Sequence, residues 1–147
     1  DYVYMLEEAF AKAKERDLRN IDTWFKDANP QNLEKIYETY VQLNSRQERI
    51  RPILPVRLLK EGRDAIFPFD DYSDQIVSSR NALSKYLYEN ASALLKSKNK
   101  LDFRKAYDDL DYLNQINPNY QNTLLLMDEA LNKGRYFVNV AFSFNSF

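Results

Sequence analysis

Apolar residues recur at helical spacing along five stretches of the chain, and the breaks between them fall at proline, asparagine or glycine. In the first stretch Val3, Leu6, Phe10 and Ala13 form one stripe, with Asp17 and Asn20 expected in the loop beyond. The second opens after Asn29-Pro30 and carries Leu33, Ile36, Tyr37, Tyr40, Leu43, Gln47 and Ile50. Arg51-Pro52 should end it, because a residue before proline avoids the α region. The pattern then breaks across Pro52, Pro55 and Pro68, which predicts a connector with one turn of helix around Val56 to Glu61. Ser73 reads as a helix N-cap, followed by Ile76, Leu83, Leu87, Ala91 and Leu94. After Lys98-Asn99-Lys100 comes a fourth helix with Phe103, Ala106, Tyr107, Leu110 and Leu113, stopped by Asn117-Pro118-Asn119. The fifth shows Tyr120, Leu124, Met127 and Leu131, with Gly134 as its expected terminator. Tyr136 to Phe142 has strand composition.

These elements divide the chain into a helical domain over 1–134 and a strand over 135–147 that begins a β-rich region. Within the helical domain a first hairpin is expected at about 2–51, a linker at about 52–72, a second hairpin at about 73–117 and a capping helix at about 120–133.

The two hairpins are related. Residues 33–44 (LEKIYETYVQLN) align without gaps on 103–114 (FRKAYDDLDYLN), with Lys, Tyr, Leu and Asn identical at matched places. The preceding helices match as well, Tyr4-Met5-Leu6-Glu7-Glu8-Ala9 lying on Tyr86-Leu87-Tyr88-Glu89-Asn90-Ala91. The first copy has the longer internal loop, holding Trp24 and Phe25, and Leu126 to Ala130 begins a third, similar helix. The second copy resembles a tetratricopeptide repeat, a helical hairpin of about 34 residues. Ala106, Leu110, Leu113 and Pro118 fall at the small, large, small and terminal-proline positions of its second helix, although Leu113 departs from the usual alanine. Hairpins of this kind bury their faces only by stacking, so two copies and a further helix strengthen the resemblance. It implies an all-α fold of tetratricopeptide-like stacked hairpins, about five helices in all, with the start of a strand at the C-terminus.

A narrower resemblance rests on Tyr2-Val3-Tyr4-Met5-Leu6-Glu7, on 46–55 (RQERIRPILP) and on Ile116-Asn117-Pro118-Asn119-Tyr120. These stretches are similar to tetratricopeptide-containing lipoproteins of the Bacteroidota. The resemblance implies a lipid-modified cysteine and a further hairpin upstream and a β-rich region downstream, so a partial chain is expected. It also implies an address in the cell envelope, associated with the outer membrane.

Composition narrows the chemistry. Over 147 residues there are two glycines, far fewer than a β-sandwich or a nucleotide-binding α/β fold requires for its turns. Twenty-one basic residues nearly balance 22 acidic ones, which argues against a general nucleic-acid binder. Mean hydropathy is −0.64, and no run of about 18 apolar residues is present to span a membrane. With no histidine and no cysteine there is no Ser-His triad, thiol nucleophile, disulfide or ordinary zinc or haem site. Asp70, Asp71 and Asp74 lack the spacing and central glycine of a calcium loop and suit a helix start better. No catalytic residue, cofactor or metal is expected.

The repeat singles out a different set of residues. Tyr4/Tyr86, Glu7/Glu89, Ala9/Ala91, Ala11/Ala93 and Lys14/Lys96 are identical between copies, and all but the Ala9/Ala91 pair share a stripe beside the apolar one. The third helix places Asp128 in the same register. In tetratricopeptide-like stacks this stripe lines the concave groove, so Tyr4, Glu7, Lys14, Tyr86, Glu89, Lys96 and Asp128 are expected to contact a protein partner. Common ancestry with an ordinary solvated Glu–Lys surface is the competing explanation. Six basic residues (Arg46, Arg49, Arg51, Arg57, Lys60 and Arg63) suggest either an anionic contact or solvated cations near a helix end. The function expected is therefore a non-enzymatic interaction module or scaffold in an envelope complex. The alternatives are a glycan-binding or peptidoglycan-associated protein and a structural spacer.

Overall fold

The computed structural model describes residues 2–145, with side chains described as far as Arg135. It contains five α-helices: α1 (Tyr2–Asp27), α2 (Asn32–Ile50), α3 (Ser73–Leu94), α4 (Lys100–Ile116) and α5 (Thr123–Asn145). Between α2 and α3 the connector holds a 3₁₀ turn (Arg51–Ile53) and a two-stranded antiparallel ribbon of β1 (Arg57–Leu58) and β2 (Arg63–Asp64). The fold is thus predominantly all-α. No helix among the described residues is long and apolar enough to cross a membrane.

The chain forms two compact units, Asp1–Ser79 and Arg80–Phe147. In the first, α1 and α2 make an antiparallel hairpin: Asp27 accepts from Asn32 near the turn, and Asp17 accepts from Arg46 further along. Ile21, Ile36, Leu43 and Tyr72 form one buried cluster, and Phe10, Ile50 and Phe67 another. Helix α1 runs ten residues past Asp17, so the expected loop at Asp17 and Asn20 and the long loop holding Trp24 and Phe25 are both helix. Asp17 is buried on the inner face, where its two oxygens take Arg46 and Arg16. Leu18, Ile21 and Trp24 continue the packed stripe beyond it.

The connector is not a helical turn around Val56 to Glu61 but a ribbon. Residues 59–62 turn the chain between its strands, and Gly62 closes the turn at φ +62°, a conformation other residues adopt only with strain. The N–H of Gly62 donates to the carbonyl of Leu58 at 2.8 Å. Helix α3 does begin at Ser73, with the Asp71 carboxylate accepting from both the Ser73 N–H and its hydroxyl.

In the second unit α3 and α4 are antiparallel, as the pairs Ser84–Asn117, Asn90–Asp109 and Ser97–Asp102 show. Asn99 caps α4, its side chain accepting from the Leu101 N–H. Leu83, Leu87, Ala91, Leu95, Phe103, Ala106, Leu110, Leu113 and Ala130 are buried. Ala91 and Ala106 are completely so, and small residues there permit close helix approach. Lys133 ties α5 down by donating to the Leu95 carbonyl and lying over the Phe103 ring.

The strand expected over 135–147 is corrected. Residues 123–145 are one continuous helix, and Gly134 lies inside it without the positive φ of a terminator. Aromatic and β-branched composition favours a strand only where a pleated surface exists to pack against, and no turn separates this stretch from the helix before it. Residues 146 and 147 of the expected strand lie outside the described residues.

Candidate functional site

The stripe expected to bind a partner is occupied on α1 by the chain itself. Glu7 accepts from Arg63 through both oxygens, at 2.9 and 3.0 Å, and from the N–H of Ile66 at 2.7 Å. One turn further, Phe10 meets Phe67 and Phe69 edge-on, with ring centroids 5.5 and 5.8 Å apart. Another turn on, Lys14 donates to the Pro68 carbonyl at 2.8 Å and pairs with the Asp70 carboxylate at 2.7 Å. Three positions on one helical face therefore hold residues 63–70, read in the same direction as the helix. From α2, the Gln47 amide both donates to the Asp70 carbonyl and accepts from its N–H, each at 2.8 Å. Arg51 lies over the Phe69 ring.

The electrostatics of the clamp follow from its geometry. The Arg63 guanidinium, aided by the Ile66 N–H, holds the Glu7 carboxyl down at about 2 against an ordinary 4.5. Arg63 is raised in return, chiefly by its bonds to Glu7 and then to Glu61. Beneath the same segment, burial and the nearby Asp70 charge push the Tyr72 hydroxyl up to about 12. That hydroxyl is buried and makes no hydrogen bond among the described residues.

On α3 the matched face is open. Tyr86 is half-buried and Glu89 is exposed, as is Lys96 in the turn that follows the helix. The aromatic shelf is not repeated: Ser92 stands at the position of Phe10, and its hydroxyl donates to the Tyr88 carbonyl. Tyr88, at the position of Leu6, packs edge-on against Tyr120. Of the remaining expected site residues, Tyr4 is exposed near the start of α1, and Asp128 is exposed on α5, where it accepts from Asn132. Glu89 and Lys96 are thus exposed, the latter beyond the end of α3 at Leu94, and Tyr86 is half-buried, while Glu7 and Lys14 already have partners within the chain.

The basic residues between Arg46 and Arg63 are largely used inside the first unit. Arg46 pairs with Asp17, Arg51 with Glu48, Arg57 with Asp64, and Arg63 with Glu7 and Glu61. That leaves little of the cluster for an anionic surface.

A groove of about 600 Å³ between α4 and α5 was not expected from sequence. Phe103, Tyr107 and Leu131 line its apolar floor, and Lys100, Arg104 and Arg135 outnumber Asp108 at its rim. Phe103 and Tyr107 read as packing residues because they lie on the apolar stripe of α4.

Comparisons with protein-family models, with curated proteins and with solved structures return no match to this chain.

Proposed function

We propose that the chain is a non-enzymatic protein–protein interaction module that holds an extended segment of another protein along α3 and the turn after it, at Tyr86, Glu89 and Lys96. The observation that carries this reading is the clamp on α1. There the matched glutamate and lysine already grip a non-helical stretch of polypeptide through a guanidinium, a backbone N–H, a carbonyl and a carboxylate. On α3 the same residue types stand at the same spacing and are exposed. A helical face that binds chain in one copy has the chemistry to bind chain in the other.

The resemblance to tetratricopeptide-containing lipoproteins supports an envelope scaffold as the setting, with a lipid anchor upstream of this chain. The competing explanation, an ordinary solvated Glu–Lys surface, is weakened by what Glu7 and Lys14 do: neither is solvated decoration, their side chains being only 17% and 15% exposed.

The test is recovery of partners from native envelope extract with wild type and with a Tyr86→Ala, Glu89→Gln, Lys96→Gln variant of matched helicity. A partner lost only with the variant supports the α3 face. Equal recovery removes it.

A further inference from the structure

We infer that the segment bound at α3 carries a basic residue followed, about seven positions later, by an acidic one, and runs in the direction of the helix. This rests on the interaction-module reading and specifies the ligand chemistry of that same face. The connector is the template: Arg63 enters at Glu7, and Asp70 leaves at Lys14. Glu89 and Lys96 repeat both charges at the same separation. The order of charges sets polarity, because a reversed segment would place like charges together at both ends.

The middle of the site differs from the template, and the difference is informative. Phe10, which takes two phenylalanine rings, is replaced by Ser92. Ala93 keeps the small residue found as Ala11 in the first copy. The α3 face therefore reads its ligand by charge at the two ends and does not demand the Phe-Pro-Phe core of the connector. The occupant is a segment of another protein. The chain's own connector is already held on α1, and a tethered strap there has an effective concentration on the order of millimolar, which keeps it in place.

The probe is a capped synthetic peptide of residues 61–72 (EGRDAIFPFDDY), titrated into the full isotope-labelled chain while amide resonances are followed. The expected result is perturbation of residues 86–97 that grows with peptide, with a dissociation constant on the order of tens of millimolar for two exposed ion pairs. Glu89→Lys should weaken binding about threefold or more, and a peptide with Arg63→Glu should restore it on that variant. Lys96→Glu and a peptide with Asp70→Lys should form the second rescuing pair. No perturbation up to about 50 millimolar peptide, perturbation confined to residues 7–14, or failure of both charge-swapped pairs overturns the inference. Perturbation of residues 86–97 by increasing chain concentration alone also overturns it, since the occupant is then the connector of a second copy. These failures are separable from failure of the interaction-module reading, which would show as full partner recovery by the triple variant.

Discussion

Glu7 and Arg63 lie 56 positions apart in sequence and form a two-pronged ion pair at 2.9 and 3.0 Å that fixes the connector to α1. Bidentate geometry makes both side chains specific to this contact, because a planar guanidinium matches a carboxylate edge to edge.

The pair gives stability a pH dependence of known sign. Glu7 holds its proton less readily in the folded chain, titrating at about 2 against 4.5 ordinarily, so its contribution is complete above pH 4.5. It is lost as pH falls from there towards 2. Urea midpoints measured between pH 2 and 6 should separate wild type from Glu7→Gln at the upper end and bring them together at the lower end. Parallel curves would show that Glu7 is not linked to folding.

Phe10 is the apolar centre of the clamp, 4% exposed and edge-on to two rings. Phe10→Ala should cost about 3 kcal/mol in chemical unfolding, the usual scale for an aromatic removed from a core. A loss under about 1 kcal/mol would mean that the connector does not pack as described.

Gln47 and Tyr72 make an instructive contrast beneath the same segment. Gln47 is buried with both ends of its amide bonded to Asp70, so Gln47→Ala should cost about 2 kcal/mol by removing two hydrogen bonds and the packing of a buried side chain. The Tyr72 hydroxyl is buried without a hydrogen bond among the described residues, so Tyr72→Phe should be neutral or stabilising by up to about 1 kcal/mol. Burial also pushes Tyr72 up to about 12 in the fold against 10 ordinarily, so relative to neutral pH the folded state loses stability as pH rises from 10 through 12. An ultraviolet titration of tyrosinate should lose its highest-pH step in Tyr72→Phe.

The two faces differ chiefly at Phe10 and Ser92, which offers a gain-of-function test. Ser92→Phe should tighten binding of the 61–72 peptide about tenfold, since seating one aromatic contact contributes roughly 1.5 kcal/mol. Unchanged affinity would show that the α3 face does not share the geometry of α1.

Much of this architecture was legible because its signals are local. The stop at Asn117-Pro118 is short-range chemistry, and the spacing of Phe103, Ala106, Leu110 and Leu113 marks a buried face directly. What escaped the sequence depends on distant partners. Asp17 broke the apolar stripe of α1 and looked like a loop residue, because its charge is satisfied by Arg46 on another helix. Glu7 and Lys14 looked like exposed groove residues because their partners lie in a connector with no helical pattern. Tyr136 to Phe142 was read from composition alone, and composition cannot tell a strand from the end of a helix already under way. Of the candidate site, the repeat matched Glu7 with Glu89 and Lys14 with Lys96 by sequence alone. Only the structure distinguishes the occupied copy from the open one.

The most direct test of the central claim is amide hydrogen exchange on the intact chain with and without its recovered partner. Binding along the α3 face should raise protection across residues 86–97, with little change in α4 and α5. Protection confined to the Phe103–Tyr107–Leu131 groove, with residues 86–97 unchanged, would contradict it.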